Sequence, residues 1–152
     1  FGAIPSGIKI AEADFAIQKG VDELDLIPNF LALSEGNLNQ FAEEIAMICE
    51  LGVPVRVALD LLNLSKDKLS LAIEASVDAG AIGVISGNGF GPSVTELNIT
   101  QITKLARNRC EIKAVGGIKG LDQAIKIIEA GATFIGTSAG PELIKSLNQK
   151  KY

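Results

Sequence analysis

The sequence contains no histidine, which removes the commonest general base and the commonest metal ligand of proteins. Aromatic residues are also few, at 5 % of the chain, whereas apolar residues reach 47 % over 152 residues, which is typical of one globular domain with a real core. The net charge is −4 and no extended run of Lys or Arg occurs, so we expect no nucleic-acid partner. No apolar run is long enough to span a bilayer, so we expect no membrane insertion.

Cysteine is scarce as well. Cys49 and Cys110 lie far apart and outside any CxxC motif, which indicates buried thiols rather than a disulfide or a zinc site. We therefore expect a soluble protein of a reducing compartment, either the cytoplasm or an organelle interior. The chain begins at Phe1 rather than Met, which indicates a processed product or part of a longer protein.

One pattern recurs along the chain: a helix end, a glycine and then a short apolar run. A glycine directly after a helix closes its last turn in the left-handed conformation, and Asn108 takes this place in a fifth copy. The glycines are Gly20, Gly52, Gly80 and Gly131. Because the apolar runs do not alternate strictly, they indicate strands buried on both faces. The predicted strands are 21–27, 53–59, 82–86, 110–115 and 133–137.

Helical patterns separate these strands. Apolar faces occur at Leu38, Phe41, Ala42, Ile45, Ile48 and Cys49; at Leu69, Ala72, Ile73, Ser76 and Val77; and at Leu121, Ala124, Ile125 and Ile128. Weaker patterns cover 9–19 and 96–106. Ser65 is a predicted N-cap, and Ser93 with Glu96 has the spacing of a capping box. Strand–helix alternation predicts a parallel α/β sheet, either open or an incomplete barrel, and the pattern alone does not decide between these.

The carboxyl ends of parallel strands are where α/β proteins build their sites. Asp25 in "ELDLIPN" alternates with two leucines and is predicted to point away from them. Lys113 stands inside the apolar strand "EIKAVGG", where an amine has little packing reason to occur. It is either a functional amine or half of a structural ion pair with Asp25 or Asp60. Arg56 and Asp60 share a strand face, and a plain salt bridge is the favoured interpretation.

Two glycine-rich turns, "VGGIK" and "GTSAG", end the last two predicted strands, and each leads into a helix. Backbone N–H groups in such turns bind phosphate, helped by the helix N-terminus. The alternative is that these glycines serve only tight turns.

Together these segments resemble the deoxyribose-phosphate aldolases, class I aldolases with a (β/α)8 barrel. "KIAEADFAIQKGVDELDLIPN" is similar to the family segment that ends near its catalytic Asp, and "DAGAIGVISGNGF" to the strand carrying its Schiff-base lysine. "IKAVGGIKGLDQAIKIIEAGATFIGTSAG" is very close to the family's last two strands. The resemblance implies a partial barrel of about five parallel βα units, family strands four to eight, as a single domain over 1–152.

The resemblance also implies roles for individual residues. Asp25 matches the proton-relay aspartate, and Lys113 matches the lysine that assists the Schiff-base lysine. The matches to phosphate-binding positions are Gly89, Gly116, Gly117 and Ser138. No cofactor and no metal are implied. Ile85 matches the Schiff-base lysine itself, so the nucleophile of the family is replaced.

Other departures accompany this loss. The family usually has Thr-Ser-Thr-Gly after its lysine, whereas this chain has Ser86, Gly87, Asn88 and Gly89. Arg56 replaces a family lysine, and Asp60 stands in a glutamate position. The sequence thus predicts an inactive relative that acts as a structural or regulatory subunit or as a binder of a sugar phosphate. The alternatives are an active carbon–carbon lyase with Lys113 as Schiff-base residue, a different non-covalent reaction, or an aldolase lysine supplied by sequence outside this chain.

By this resemblance the chain begins at the end of the family's third strand. Strand 21–27 would then present an open apolar edge. We expect either preceding residues or a partner polypeptide to cover it.

Overall fold

The structure is a computed structural model that describes residues 4–59, 61 and 64–149. Within these residues the strands are β1 (Leu24–Leu26), β2 (Val55–Ala58), β3 (Gly83–Ile85), β4 (Glu111–Val115) and β5 (Phe134–Gly136). The helices are α1 (Ser6–Gln18), α2 (Phe30–Ser34), α3 (Leu38–Cys49), α4 (Lys66–Asp78), α5 (Glu96–Ala106), α6 (Leu121–Glu129) and α7 (Gly140–Gln149).

The strands form one parallel sheet in the order β1-β2-β3-β4-β5. Because every crossover runs in the same direction around the sheet and has the same hand, the helices lie on one face. The opposite face is concave and carries the polar side chains of the strands. This order confirms the α/β fold class, and it selects the arc of a barrel over an open doubly wound sheet. Each strand lies inside its predicted range and is shorter than predicted.

The helix ends follow the recurring pattern. All four glycines named for it have positive φ, between 84° at Gly20 and 115° at Gly131, and Asn108 has φ 58°. The left-handed conformation begins one residue earlier than predicted at this fifth copy, because Arg107 has φ 51°. The pattern therefore predicted where five helices end and the next strands begin.

The core lies between the helices and the outer face of the sheet. Its largest fully buried side chains include Phe41, Ile45 and Ile48 of α3 and Ile99 and Ile102 of α5. These apolar stripes hold each helix against the sheet through the burial of aliphatic surface.

Helix α6 differs from its prediction. Ala124 and Ile127 face the core, whereas Ile125 and Ile128 are 37 % and 54 % exposed. The sequence offers two apolar stripes on this helix, and the sheet contacts the one that includes Ile127. The pattern cannot distinguish them because both have helical spacing.

Two local predictions about caps had different outcomes. Ser65 caps α4 by accepting the Lys68 N–H at 3.3 Å, as predicted. The capping box of α5 is formed by Thr95 and Asn98 instead of Ser93 and Glu96. The prediction was wrong because Thr95, two residues further along, is an equally good cap, and an Asn three residues after it completes the box. Helix α2 was not predicted, whereas α7 is the helix that was expected, without bounds, after "GTSAG".

Candidate functional site

Two rows of side chains cross the concave face. Strand register pairs Asp25 with Arg56, Arg56 with Gly83, and Gly83 with Glu111. The row above it, towards the carboxyl ends, pairs Ala58, Ile85, Lys113 and Phe134 in turn. Asp25 and Lys113 thus lie on the same concave face, which is where strand alternation placed Asp25.

Lys113 forms an ion pair with Asp25 across this face. The two side chains are 27 % and 45 % exposed, so the pair is partly open to solvent rather than fully buried as expected for a lysine inside an apolar strand. Strands β1 and β4 are not neighbours in the sheet, so the pair spans β2 and β3. The structural alternative considered for Lys113, an ion pair with Asp25, is therefore present.

Ile85 is the cross-strand partner of Lys113 and is only 4 % exposed. The position at which the resemblance implied a Schiff-base lysine in related proteins thus carries a buried aliphatic side chain next to Lys113. The next residue, Ser86, uses its hydroxyl to accept the Val115 N–H at 2.9 Å and to donate to the Val115 carbonyl at 3.0 Å. This double contact fixes the end of β3 against the end of β4.

Arg56 forms a second bridge one row below. Arg56 is 2 % exposed, and its guanidinium donates to the carboxylates of Glu23 and Glu111 and stacks 4.5 Å from the centroid of the Phe134 ring. Because Glu23 precedes β1 and Glu111 begins β4, this cluster also links the first strand to the fourth. Gly83 leaves room for it, since a Cβ there would lie 2.8 Å from the Glu111 carbonyl oxygen.

The Arg56 cluster shifts the titration of its members. The hydrogen bond from Arg56 lowers the pKa of Glu23 below its ordinary value of 4.5, and burial opposes this only in part. In return, the Glu23 carboxylate raises the pKa of Arg56. The interaction predicted for Arg56 was with Asp60, which lies outside the described residues. Glu23 and Glu111 were missed, although each stands two residues before a predicted site residue and therefore on the same strand face.

The two glycine-rich turns leave β4 and β5 side by side, because Val115 and Gly136 are register partners. Gly117 has φ 64°, and a Cβ there would lie 2.0 Å from the Ser93 hydroxyl oxygen, so the turn requires glycine. Within the described part of the chain, the backbone N–H groups of Gly117 and Ser138 make no hydrogen bond. Both are thus available donors, close to the first turns of α6 and α7.

A pocket of 330 Å³ opens at the same end of the sheet. Gly89 and Gly116 line it, whereas Gly117 and Ser138 do not, so the four predicted phosphate positions are divided between the pocket and the turns beside it. Its walls also include Phe30, which the sequence analysis missed because α2 was not predicted. The polar side chains that line it are Ser86, Asn88, Ser93 and Asn98.

A buried ion pair positions the turn that follows β1. Glu44, 1 % exposed, accepts hydrogen bonds from Lys9 Nζ at 2.8 Å, from the Asn29 N–H at 2.8 Å and from the Ser6 hydroxyl. Lys9 also donates to the Ile27 carbonyl at 2.9 Å. The turn is therefore held from both sides, which places Phe30 at the pocket.

The remaining titratable groups add no metal site. Among the described residues, no cluster of three or more Cys, Asp or Glu side chains could hold a metal ion. Cys49 and Cys110 are free thiols, and burial raises the pKa of each. None of the described helices has the length and apolar character needed to cross a membrane.

Comparison with known proteins gives a consistent set of relatives. The chain is 37 % identical over 145 residues to the deoxyribose-phosphate aldolase of Thermosynechococcus vestitus, covering 95 % of this chain and 67 % of the relative. It is 34 % identical to the enzyme of the same name from Thermococcus kodakarensis, of which it covers 66 %. No protein-family model matches the chain.

Solved structures agree with these relatives. An aldolase named QR15 superposes with a TM-score of 0.94 at 30 % identity, over 99 % of this chain and 69 % of that one. The deoxyribose-phosphate aldolase of Aeropyrum pernix, described as a unique tetramer, gives 0.86 at 28 % identity over 97 % and 64 %. The chain spans about two thirds of the length of the curated relatives it matches. From its sequence, its strand order and these comparisons, the chain belongs to the deoxyribose-phosphate aldolase family.

Proposed function

We propose that this chain is a family member that has lost Schiff-base aldolase activity and binds a phosphorylated sugar as a structural or regulatory subunit. The observation that carries the proposal is the residue at the end of β3. Ile85, which matches the Schiff-base lysine, is buried and has no amine to attack a carbonyl. Its neighbour Lys113 is engaged in an ion pair with Asp25.

Reductive trapping tests the loss of chemistry. The chain is incubated with deoxyribose 5-phosphate or acetaldehyde and borohydride, and its mass is then measured. We expect no adduct, whereas the Thermosynechococcus vestitus aldolase treated in parallel gains one. An adduct on this chain would contradict the proposal.

One alternative has specific support. Lys113 is partly exposed and is the cross-strand partner of position 85, so an active lyase that uses Lys113 as its Schiff-base residue is the second candidate. It predicts an adduct that peptide mapping places on Lys113 and that Lys113→Ala abolishes. The first candidate predicts no adduct with or without this substitution.

Phosphate binding is proposed for the turns that follow β4 and β5. The available N–H groups of Gly117 and Ser138 and the adjacent helix N-termini support it, and Lys119 adds positive charge nearby. We expect millimolar inorganic phosphate to shift the amide resonances of Gly117 and Ser138 at low salt.

A matched pair of glycine variants tests this site. Gly117→Ala places a Cβ against Ser93 at φ 64°, and we expect phosphate binding to be lost with a destabilisation of about 1–3 kcal/mol. Gly120→Ala is the control, because a Cβ there meets nothing within 4 Å. If the parent binds no phosphate, the glycines serve only tight turns, and if Gly117→Ala binds phosphate as the parent does, the phosphate is bound elsewhere.

The subunit role is proposed from the open sides of the sheet. Strands β1 and β5 are its two outer strands, and the Aeropyrum pernix relative is described as tetrameric. Light scattering of the purified chain tests whether it associates, and isolation of the intact protein from its source would identify what accompanies it.

A further inference from the structure

We propose that Asn88 is a self-modification site: its side-chain amide is attacked by the backbone nitrogen of Gly89, which converts Asn88 to aspartate or isoaspartate. The dipeptide lies in the loop "SGNGFG" that lines the 330 Å³ pocket. No other asparagine of the sequence is followed by glycine.

The first support is steric. The attacking nitrogen belongs to a residue without a side chain, and Gly87 and Gly91 flank the pair, so the backbone adopts the required angles at little cost. Asn88 and Gly89 are both exposed, so solvent base reaches the Gly89 N–H that must be deprotonated.

The second support is the hydrogen bond that Asn88 already makes. Its Oδ1 accepts the Phe90 N–H at 3.0 Å, which folds the side chain over the intervening Gly89 peptide. This brings Cγ towards the attacking nitrogen and limits the search for a reactive geometry. Oδ1 is also the atom that gains negative charge when Cγ is attacked, so the Phe90 N–H stabilises the tetrahedral intermediate as an oxyanion donor does.

The other hydrogen-bonded asparagines lack this arrangement. Asn29 and Asn37 accept from N–H groups three residues later, at helix N-termini, and are followed by Phe30 and Leu38. Asn98 accepts from Thr95, on its N-terminal side. These residues are internal controls in the same molecule.

The reaction needs no co-reactant other than water. The Gly89 nitrogen forms a bond to Asn88 Cγ, the Cγ–Nδ2 bond breaks and ammonia leaves, giving a five-membered succinimide. Hydrolysis of either succinimide carbonyl then yields aspartate or isoaspartate, about 1 Da heavier than the starting asparagine. The product adds a negative charge to a pocket wall that Gly89 and Gly116 share. This last consequence rests on the proposed phosphate site, whereas the modification does not.

The test is the conversion rate of each asparagine at 37 °C, followed by peptide mapping and by isoaspartate methylation. We expect Asn88 to convert at least about tenfold faster than any other asparagine, and no more slowly than in the free peptide GVISGNGFGPS. Folding normally hinders this reaction, so conversion slower than in the peptide, or no faster than at the other asparagines, would overturn the proposal.

A separate arm measures the consequence with inorganic phosphate. Asn88→Asp should weaken phosphate binding about fivefold, whereas the neutral Asn88→Gln should bind as the parent does. Equal phosphate binding by Asn88→Asp and Asn88→Gln would show that a negative charge at position 88 does not affect the phosphate site. If no variant binds phosphate, the proposed phosphate site fails, and the conversion rates still decide the modification.

Discussion

At the scale of single residues, the charged side chains of the concave face are paired with one another. Lys113 pairs with Asp25, and the cross-strand neighbour of Lys113 is the aliphatic Ile85. Below them, the two terminal nitrogens of Arg56 bind two carboxylates and its guanidinium stacks on the Phe134 ring, whereas its buried Nε has no hydrogen-bond partner within the described part of the chain. Both sets of ion pairs link the first edge of the sheet, at Glu23 and Asp25, to β4.

Ile85→Lys tests whether one residue separates this chain from an aldolase. We expect no meaningful cleavage of deoxyribose 5-phosphate, because Ser86, Gly87 and Asn88 also differ from the family pattern. We expect a loss of about 2–4 kcal/mol in unfolding free energy, since a second cation would be buried beside Lys113. Urea denaturation and a cleavage assay measure both effects. Ile85→Leu, the volume-matched control, should cost less than about 1.5 kcal/mol, and substantial activity in the lysine variant would show that the remaining site is intact.

Through Glu23, the stability of the folded chain depends on pH in the acidic range. Its pKa is lowered in the folded state by the hydrogen bond from Arg56, so its stabilising contribution is complete above the ordinary value of 4.5 and is lost as pH falls through the lowered pKa. We expect Glu23→Gln to have a lower thermal midpoint than the parent at pH 7, with the difference shrinking below pH 4.5. Glu129→Gln, at an exposed position on α6, is the control. A difference that grows as pH falls would contradict the assignment.

At the scale of secondary-structure elements, buried polar contacts hold α1 and the turn after β1, where hydrophobic packing contributes little. Helix α1 has few core residues, and Lys9 is one of its two buried side chains. The Lys9–Glu44 pair joins α1 to α3 and holds the turn after β1. The placement of Phe30 at the pocket therefore depends on an ion pair outside the pocket.

Lys9→Met tests this connection. The substitution leaves the Glu44 carboxylate buried without its cation, and we expect a loss of about 3–5 kcal/mol in unfolding free energy. Replacing both partners, as in Lys9→Met with Glu44→Leu, should recover a large part of that loss. Lys19→Met, which removes an amine 5.3 Å from the Phe15 ring, should cost less than about 1 kcal/mol. Equal effects of the two lysine variants, measured by urea denaturation, would argue against a structural role for the buried pair.

The elements also show how far the sequence predicts the fold. All five strands and the α3 and α4 core faces follow from local patterns, because glycine-closed helix ends and apolar spacing are properties of short segments. The exposed stripe of α6, the cap at Thr95 and the partners of Arg56 depend on contacts between segments distant in sequence. Asp25 was predicted by strand alternation and Lys113 by its position inside an apolar strand, whereas Glu23 and Glu111 were missed because charges at strand ends are usually solvated.

At the scale of the whole molecule, the sheet ends in two outer strands, and the helices at each end carry exposed apolar side chains. Ile8 and Phe15 of α1 are 57 % and 62 % exposed beside β1, and a groove of 450 Å³ follows that edge. At the other end, α6 and α7 expose Ile125, Ile128, Ile144 and Leu147. Such faces are unusual on a monomer and are typical of surfaces that other polypeptide covers.

We therefore expect the isolated 152-residue chain to associate with itself or to bind an apolar dye, because both outer strands leave backbone donors and acceptors without strand partners. Light scattering across a concentration series and dye fluorescence measure this. Phe15→Lys should reduce either signal without a large loss of stability, because the side chain lies mostly outside the core. Lys104→Gln on α5, away from both edges, is the control and should leave the signals unchanged. A chain that stays monomeric at high concentration and binds no dye would contradict the expectation that these edges need a covering polypeptide. Association that Phe15→Lys leaves unchanged would place the contact at the α6–α7 side of the arc.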